Sequence, residues 1–248
     1  MTGTDESVIP AIVELTDTIV ADFDIKNFAA RVAAYGARLP GVAAAGVLFS
    51  EPDGALNISA ASTPEALVLG EYQVQRDEGP AIDAYRTGRF VRRPDLRGPD
   101  PRWPRFSATA RAAGYGAVHA LPVARRGDTM GAITLFSPDA GALPAEVAAA
   151  GRAIADAAGI GIAHRRQFDE HERLTAQLRN ALDSRVVIEQ AKGLLAERRR
   201  VDVTAAFDLI RGYARAHNTK IGEVAARVVD GTLDPAARPA RTRRRVRP

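Results

Sequence analysis

Hydrophobic residues near the start of the chain recur at intervals of three or four positions, which is the spacing of one helical face. The first such stripe comprises Val8, Ile12, Leu15, Ile19 and Phe23. A second stripe comprises Phe28, Val32, Tyr35 and Leu39. The helix breakers Pro40 and Gly41 follow it. The pattern predicts two helices within residues 1–40, each with one buried face.

Strand-like segments separated by turn residues replace this pattern from residue 42 onward. Residues 42–50 and 55–62 are predicted to pair as one hairpin. Residues 117–125 and 130–136 are predicted to pair as a second hairpin, with the turn Arg126-Gly127-Asp128 between them. Strands with helices set around them indicate an α+β domain with a sheet at its centre.

Three further features of this half of the chain predict local structure. Residues 91–104, between the hairpins, are rich in proline and arginine, and we predict a long surface loop or lid there because proline interrupts regular structure. Glu78-Gly79-Pro80 predicts a turn before a short helix. Gly131 is expected to let the last strand pack closely against its neighbour.

A long helical stretch follows Pro144 and continues to about Arg200 almost without helix breakers. Its apolar residues lie near heptad spacing, although Arg185 and Lys192 interrupt the seam. The length favours a signalling helix that pairs with a second copy of the chain. The alternative is a helix that packs on the sheet of its own chain. The near-heptad residues are Leu174, Leu178, Ala181, Ile188 and Leu195.

Two shorter helices are predicted after residue 200, which gives a compact three-helix unit. Asp202 or Thr204 is expected to cap the first of them and Thr219 the second. A unit of about sixty residues has a small core, so dimerisation would help to stabilise it. The predicted buried stripes are Phe207, Ile210 and Ala214 on the first helix and Ile221, Val224, Ala225 and Val228 on the second.

Composition and charge exclude several classes of protein. With no cysteine, the chain cannot form disulfides, thiolate metal sites or a catalytic cysteine. Its acidic start does not resemble a signal peptide, and we expect a soluble, cytoplasmic protein. Residues 1–164 carry 15 Lys+Arg against 19 Asp+Glu, whereas residues 165–248 carry 19 against 11. The basic half indicates a polyanionic partner, although six of its arginines lie in the tail after residue 237.

The N-terminal half resembles the GAF domains of actinobacterial regulators, most clearly in residues 77–91, 102–123 and 126–136. The resemblance covers residues 8–162. It implies a sensory domain that binds a small molecule between its sheet and the covering helices. Many relatives have a cysteine where this chain has Ala81, so sensing through a thiol is excluded. The candidate ligand-binding residues are Phe49, Ile82, Tyr85, Trp103, Phe106 and His119.

Residues 182–233 closely resemble the ANTAR domain, in the motifs Ala191-Lys192-Gly193, Ala206-Phe207 with Arg211, and Val224-Ala225. The resemblance implies a three-helix module, residues 172–234, that binds RNA in transcription antitermination. Residues 163–181 would be a helical, coiled-coil-like linker continuous with its first helix. Residues 236–248 would be a basic disordered tail that either strengthens RNA binding or is merely solvated.

RNA recognition needs cations for phosphates and planar or amide groups for unpaired bases. Lys192 and Arg211 lie in the family's motif. The other candidates lie close by, and each is alternatively a solvated surface residue. Gly193 lies mid-helix, where glycine is unfavourable, and this indicates a close backbone approach to another helix or to RNA. The six candidate RNA-binding residues are Lys192, Arg211, Arg215, His217, Asn218 and Lys220.

The sequence predicts a non-enzymatic homodimer without a cofactor or metal. The four histidines are too scattered for a recognisable metal site, and no catalytic motif is present. Two alternatives to a hairpin-binding antiterminator stay open. One is a DNA-binding transcription factor, since a basic three-helix unit also resembles a helix-turn-helix. The other is a ligand-binding signalling protein whose C-terminal helices serve dimerisation.

Overall fold

The structure is a computed structural model that describes residues 5–16, 24–51, 53–98 and 100–235. The chain divides into two compact units, Met1–Phe168 (unit 1) and Asp169–Pro248 (unit 2). Ile19, Phe23 and the predicted tail of residues 236–248 lie outside the described residues, as does the side chain of Val8.

Unit 1 is built on a five-stranded antiparallel sheet, which confirms the predicted α+β class. The strands are β1 (Ala44–Ser50), β2 (Leu56–Ala61), β3 (Val91–Arg93), β4 (Ala117–Arg125) and β5 (Asp128–Ser137). They lie in the order β2-β1-β5-β4-β3. Both predicted hairpins form, as the pairs β1–β2 and β4–β5.

Helices cover both faces of the sheet. The first face packs against the two predicted N-terminal helices and a long helix, through side chains such as Leu121 and Leu135. The second face packs against three shorter helices, through side chains such as Val118 and Phe136. The helices on the first face are α1 (Asp5–Thr16), α2 (Ile25–Ala37) and the N-terminal part of α6 (Ala145–Arg199). Those on the second are α3 (Pro64–Arg76), α4 (Pro80–Thr87) and α5 (Pro104–Ala112).

Local chain geometry explains the second hairpin. Arg126 and Gly127 both have positive φ, 52° and 87°, which is the two-residue turn that matches the twist of paired strands. A Cβ atom added at Gly131 would lie closer than 3.0 Å to the carbonyl oxygen of Leu48 on β1. The close strand approach predicted from Gly131 is therefore confirmed.

Most of the segment of residues 91–104 is irregular and lies at the surface, as its prolines predicted, since its described residues between 94 and 103 form neither helix nor strand. Its first three residues form the edge strand β3, because proline begins only at position 94. Leu96 and Trp103 are buried in the core, and the nearly buried carboxylate of Asp100 lies 3.1 Å from the guanidinium of Arg93. Apolar anchors and a buried ion pair therefore hold the segment against the domain.

The described residues of unit 2 form three helices, as predicted: the C-terminal part of α6, α7 (Val203–Ala216) and α8 (Ile221–Val229). The carboxylate of Asp202 accepts a hydrogen bond of 2.7 Å from the Ala205 amide and caps α7. The buried side chains of this unit are Ala191, Leu195, Ala206, Ile210, Ala214, Val224, Ala225 and Val228.

Two local predictions for unit 2 are wrong. Thr219 does not cap α8, because its hydroxyl donates to the carbonyl of His217, and α8 begins after Lys220 without a side-chain cap. Phe207 does not belong to the buried stripe, which runs instead through Ala206, Ile210 and Ala214. The ring of Phe207 is only half-buried.

Candidate nucleic-acid interface

A groove of about 410 Å³ lies where α7 ends and α8 begins. It brings together four of the six side chains predicted to bind RNA, namely Arg211, Arg215, Asn218 and Lys220. The apolar side chains of Ala214 and Ile221 also line it. Cations and an amide therefore surround a partly apolar surface, and such a site can hold an anionic ligand with a flat apolar part.

The turn between α7 and α8 fixes the shape of this groove. Asn218 has a left-handed backbone, with φ of 49°, which asparagine tolerates better than most residues. The amide of the next residue, Thr219, donates to the carbonyl of Ala214 at 3.0 Å and closes the end of α7. This turn places Lys220 in the same groove as Arg211 and Arg215.

The cations of the groove differ in their acidic partners. Arg211 donates to the carboxylate of Asp208 at 2.6 Å. Across the part of the chain that the structure describes, no carboxylate lies within 4.0 Å of the charged groups of Arg215 and Lys220. Both side chains are exposed. They can therefore contact phosphates without first giving up an ion pair.

Lys192 lies outside the groove but shares an aromatic neighbour with Arg211. The ammonium of Lys192 lies 5.5 Å from the centre of the Phe207 ring, and the guanidinium carbon of Arg211 lies 5.7 Å from it. Lys192 also donates to the carboxylate of Glu189 at 2.9 Å. Sequence reasoning missed Phe207 as a surface residue, although its position four residues before Arg211 places the two on one helical face.

His217, the sixth predicted RNA-binding residue, is not among the residues that line the groove. Its ring stacks on Tyr213 with 3.9 Å between ring centres, and its Nδ1 lies 3.0 Å from the Tyr213 carbonyl oxygen. Tyr213 is half-buried against the core of unit 2. The two rings therefore pack on each other.

The six predicted ligand-binding residues of unit 1 do not share one site. Ile82, Trp103 and Phe106 are buried on the face of the sheet covered by α3, α4 and α5. The indole of Trp103 donates to the Asp83 carboxylate at 3.2 Å. The Phe106 amide donates to the Glu78 carboxylate at the same distance. These acidic side chains hold the start of α5 close to α4.

The other three residues lie elsewhere in unit 1. Phe49 is on the opposite face, where its ring stacks on Phe28 of α2 with centres 6.2 Å apart. His119 is the cross-strand partner of Leu135, and both therefore point toward α2 and α6. Tyr85 is half-buried, and its hydroxyl donates to the Gly54 carbonyl at 3.4 Å.

The environment of His119 is unusual because its ring is fully buried and lies beside Phe90. Among the residues that the structure describes, neither ring nitrogen has a hydrogen-bond partner. Burial, aided by the nearby positive charge of Arg92, lowers the pKa of His119 to about 4. The imidazole is therefore neutral near pH 7.

A second groove, of about 520 Å³, lies between α5 and the segment before it. None of the predicted ligand-binding residues lines it. The carboxylate of Asp100 at this groove accepts hydrogen bonds from the Ser107 hydroxyl at 3.1 Å and the Arg102 amide at 2.9 Å. The groove is lined by Leu96, Arg97, Gly98, Asp100, Pro101, Pro104, Ser107, Ala108 and Arg111.

Within the described ranges, no three histidine, aspartate or glutamate side chains come together in a way that would hold a metal ion. No helix in those ranges is long and apolar enough to cross a membrane.

Comparison with known proteins relates each unit to a domain family. Residues 24–163 match the family model of the GAF domain, and residues 176–229 match that of the ANTAR domain. Both families are typically regulatory, and no catalytic family is indicated. No curated protein matches the chain.

Solved structures of GAF domains share the fold at low sequence identity. The GAF domain of a phosphoenolpyruvate-protein phosphotransferase from Coxiella burnetii matches with a TM-score of 0.51 and 14% identity, covering 68% of this chain and 99% of that one. The GAF domain of the Acinetobacter phosphoenolpyruvate-protein phosphotransferase matches with a TM-score of 0.50 and 11% identity, covering 67% and 97%. Sheet order, helix placement and family match agree: the chain belongs to the GAF domain family, and residues 176–229 of its unit 2 match the ANTAR domain.

Proposed function

We propose that the protein is a transcription antiterminator in which unit 2 binds RNA hairpins and unit 1 controls that binding as a sensory domain. The groove at the junction of α7 and α8 carries the RNA-binding part of this proposal. It gathers Arg211, Arg215, Asn218 and Lys220 within about 410 Å³, and two of its cations have no acidic partner among the described residues. Hairpin RNA supplies both the phosphates and the unpaired bases that such a groove can bind.

The sensory role of unit 1 is supported by its family and by α6. Ile154 and Ile162 of α6 belong to the core of unit 1, and Ala191 and Leu195 of the same helix belong to the core of unit 2. We propose that a small molecule bound by unit 1 changes the packing of α6 and thereby the availability of unit 2 for RNA. Ile82, Trp103 and Phe106 are the candidates to contact that molecule, since the structure brings them to one face.

The proposed active form is a homodimer paired through α6. Apolar side chains with 44–66% of their surface exposed lie on one stripe of this helix at Leu174, Leu178, Leu182 and Val186. Residues four apart on a helix share a face, so a second copy of the stripe would cover them. The cytoplasmic location and the actinobacterial origin stay predictions from the sequence.

The dimer proposal is tested by light scattering of the full chain. Leu178→Asp should shift the protein toward monomer because it would place a carboxylate in the seam. Asn180→Asp makes the control, since Asn180 is exposed on a different face of the same helix. Equal masses for both variants and the wild type would contradict pairing through this stripe.

The RNA proposal is tested by anisotropy titrations of the full chain with a hairpin RNA and with duplex DNA of similar length. We expect tighter binding to the hairpin. Replacing both Arg215 and Lys220 by glutamine should weaken binding and lower the salt slope by about two, because each lost phosphate contact removes about one. Arg89→Gln, at an exposed site in unit 1, is the control. Preference for duplex DNA would favour the DNA-binding alternative.

The effect on transcription is tested with purified polymerase on a template that carries a terminator preceded by hairpins. Added protein should increase read-through, and the Arg215 and Lys220 double variant should not. Read-through that is equal with and without the protein would contradict antitermination on that template even if RNA binds.

A further inference from the structure

We infer that the groove between α7 and α8 accommodates one unpaired RNA base and that Asn218 reads the edge of this base. This inference rests on the proposed RNA-binding function and makes it more specific. It distinguishes two kinds of contact in one groove. Arg211, Arg215 and Lys220 hold the backbone phosphates, whereas Asn218 provides discrimination among bases.

The size and lining of the groove favour a single nucleotide. About 410 Å³ lies at the lower end of the range of small-molecule pockets. Ala214 and Ile221 provide apolar surface against which the flat face of a base can pack. A paired base cannot enter, because an A-form duplex keeps its bases stacked and presents a major groove too narrow for side chains.

Asn218 has the chemistry and the freedom to read a base. Its amide offers one acceptor and two donors, which can pair with two neighbouring atoms on the edge of a base. The side chain is exposed, and it makes no hydrogen bond within the part of the chain that the structure describes. Binding a base would therefore not require it to break an existing contact.

The backbone at Asn218 is already fixed in the free chain. Its φ of 49° is held by hydrogen bonds from its own amide to the Arg215 carbonyl at 3.4 Å and from the Thr219 amide to the Ala214 carbonyl at 3.0 Å. The position therefore projects its side chain from a closed turn. A preformed turn lowers the cost in conformational entropy that binding would otherwise carry.

The left-handed backbone also provides a clean test, because glycine adopts it without strain. Asn218→Gly removes the amide and should leave the turn intact, which circular dichroism and thermal unfolding can verify. Asn218→Ala would combine loss of the amide with backbone strain. Arg215→Gln is the matched variant for a phosphate contact in the same groove.

The experiment selects, with the full-length protein, from a library of RNA hairpins that share one stem and have fully randomised loops. Sequencing of bound and free RNA gives the base preference at each loop position. The wild type should show a preference at one position that Asn218→Gly reduces at least about fivefold, while other positions keep theirs. Arg215→Gln should lower binding of all loop sequences alike.

The outcomes separate this inference from the function on which it rests. If the wild type binds hairpins and Asn218→Gly retains every loop preference, base reading by Asn218 is overturned while RNA binding stands. If the wild type prefers no loop base at all, the base pocket is also overturned. If the wild type binds neither the library nor the isolated stem, the proposed RNA-binding function fails as a whole.

Discussion

A Cβ atom added at Gly131 in unit 1 would lie closer than 3.0 Å to a backbone oxygen, whereas one added at Gly193 in unit 2 would meet, beyond its own helix backbone, no described atom within 4 Å. The same contrast holds between Gly159, where it would lie 2.8 Å from the Ala124 carbonyl oxygen, and Gly212, where space is open. Gly222 of unit 2 is an exception, because Ser184 lies 2.5 Å from its added Cβ. Unit 1 uses these glycines for its own close packing, whereas Gly193 and Gly212 of unit 2 have open space beside them.

Among the variants that test this contrast, Gly131→Ala is expected to have the largest effect on stability. Its methyl group would collide with the backbone of β1, which cannot move without breaking the sheet, so unit 1 should lose about 3 kcal/mol of stability. Urea unfolding followed by the fluorescence of Trp103, the one tryptophan of the chain, measures it. Gly46→Ala is the control in the same sheet, since its added Cβ would meet its nearest neighbour at an ordinary 3.7 Å. Equal stability of the two variants would refute the close-packing argument.

Acid should destabilise unit 1 through His119. Its pKa is lowered to about 4 in the folded protein by burial, against 6.5 for an ordinary histidine. Its contribution to stability is therefore complete above about pH 6.5 and is lost as the pH falls toward 4, because the unfolded chain takes up the proton first. Between these limits the slope approaches about 1.4 kcal/mol per pH unit.

The matched variant for this prediction is His119→Leu, which fills a similar volume without a titrating group. Trp103 fluorescence should show that the difference in unfolding free energy between variant and wild type grows as the pH falls from 6.5 to 4. A difference that does not change with pH would mean that the ring is hydrated or paired in solution. Unit 1 would then be less tightly packed around His119 than the close contacts of its glycines indicate.

The sequence predicts the parts of each unit that depend on periodicity. Helical and strand spacing correctly place α2, both hairpins and α6, because one buried face imposes a repeat. Periodicity does not show which face of a sheet a residue joins. Phe49 and Phe106 are both buried aromatic residues, yet they lie on opposite faces because strand order and helix packing decide this. The predicted ligand-binding set therefore mixed residues from both faces.

Charged residues at helix ends were easier to group from the sequence than apolar ones. Arg215, Asn218 and Lys220 lie within six positions, so a single turn brings them together. Sequence reasoning failed at Thr219, which is a good capping residue by type, because the turn after α7 engages its hydroxyl with His217. It also failed at Phe207, because a half-buried aromatic residue flanked by cations has the same spacing as a core residue.

Arg211→Gln tests whether the exposed face of unit 2 around Arg211 binds RNA. This residue lines the groove and also lies beside Phe207, so we expect RNA hairpin affinity to fall about tenfold and the salt slope by about one. Asp208→Asn is the companion variant. It removes the carboxylate that pairs with Arg211 at 2.6 Å and should raise the affinity slightly. If Arg211→Gln binds as tightly as wild type at every salt concentration, this face does not contact RNA.

The smallest expected effect tests the open glycine directly, through Gly193→Ala. In a helix interior alanine is favoured over glycine by about 1 kcal/mol, and no described atom would obstruct the added methyl group. The helical circular dichroism of unit 2 should therefore persist to higher urea, while the Trp103 transition of unit 1 stays in place as an internal reference. Gly212→Ala should act alike, since its surroundings are equally open.

The effect of the same variants on binding of RNA, or of a second copy of the chain, shows why glycine occupies position 193. If RNA or a second copy of the chain approaches the backbone at Gly193, the alanine variant should be more stable alone yet bind that partner more weakly. Titration with hairpin RNA and light scattering over a range of protein concentrations separate the two partners. A variant that is stabilised without any loss of association would leave Gly193 with no close partner. A destabilised variant would mean that part of the chain, or its second copy, already covers this face, and the contrast between the two units would then disappear.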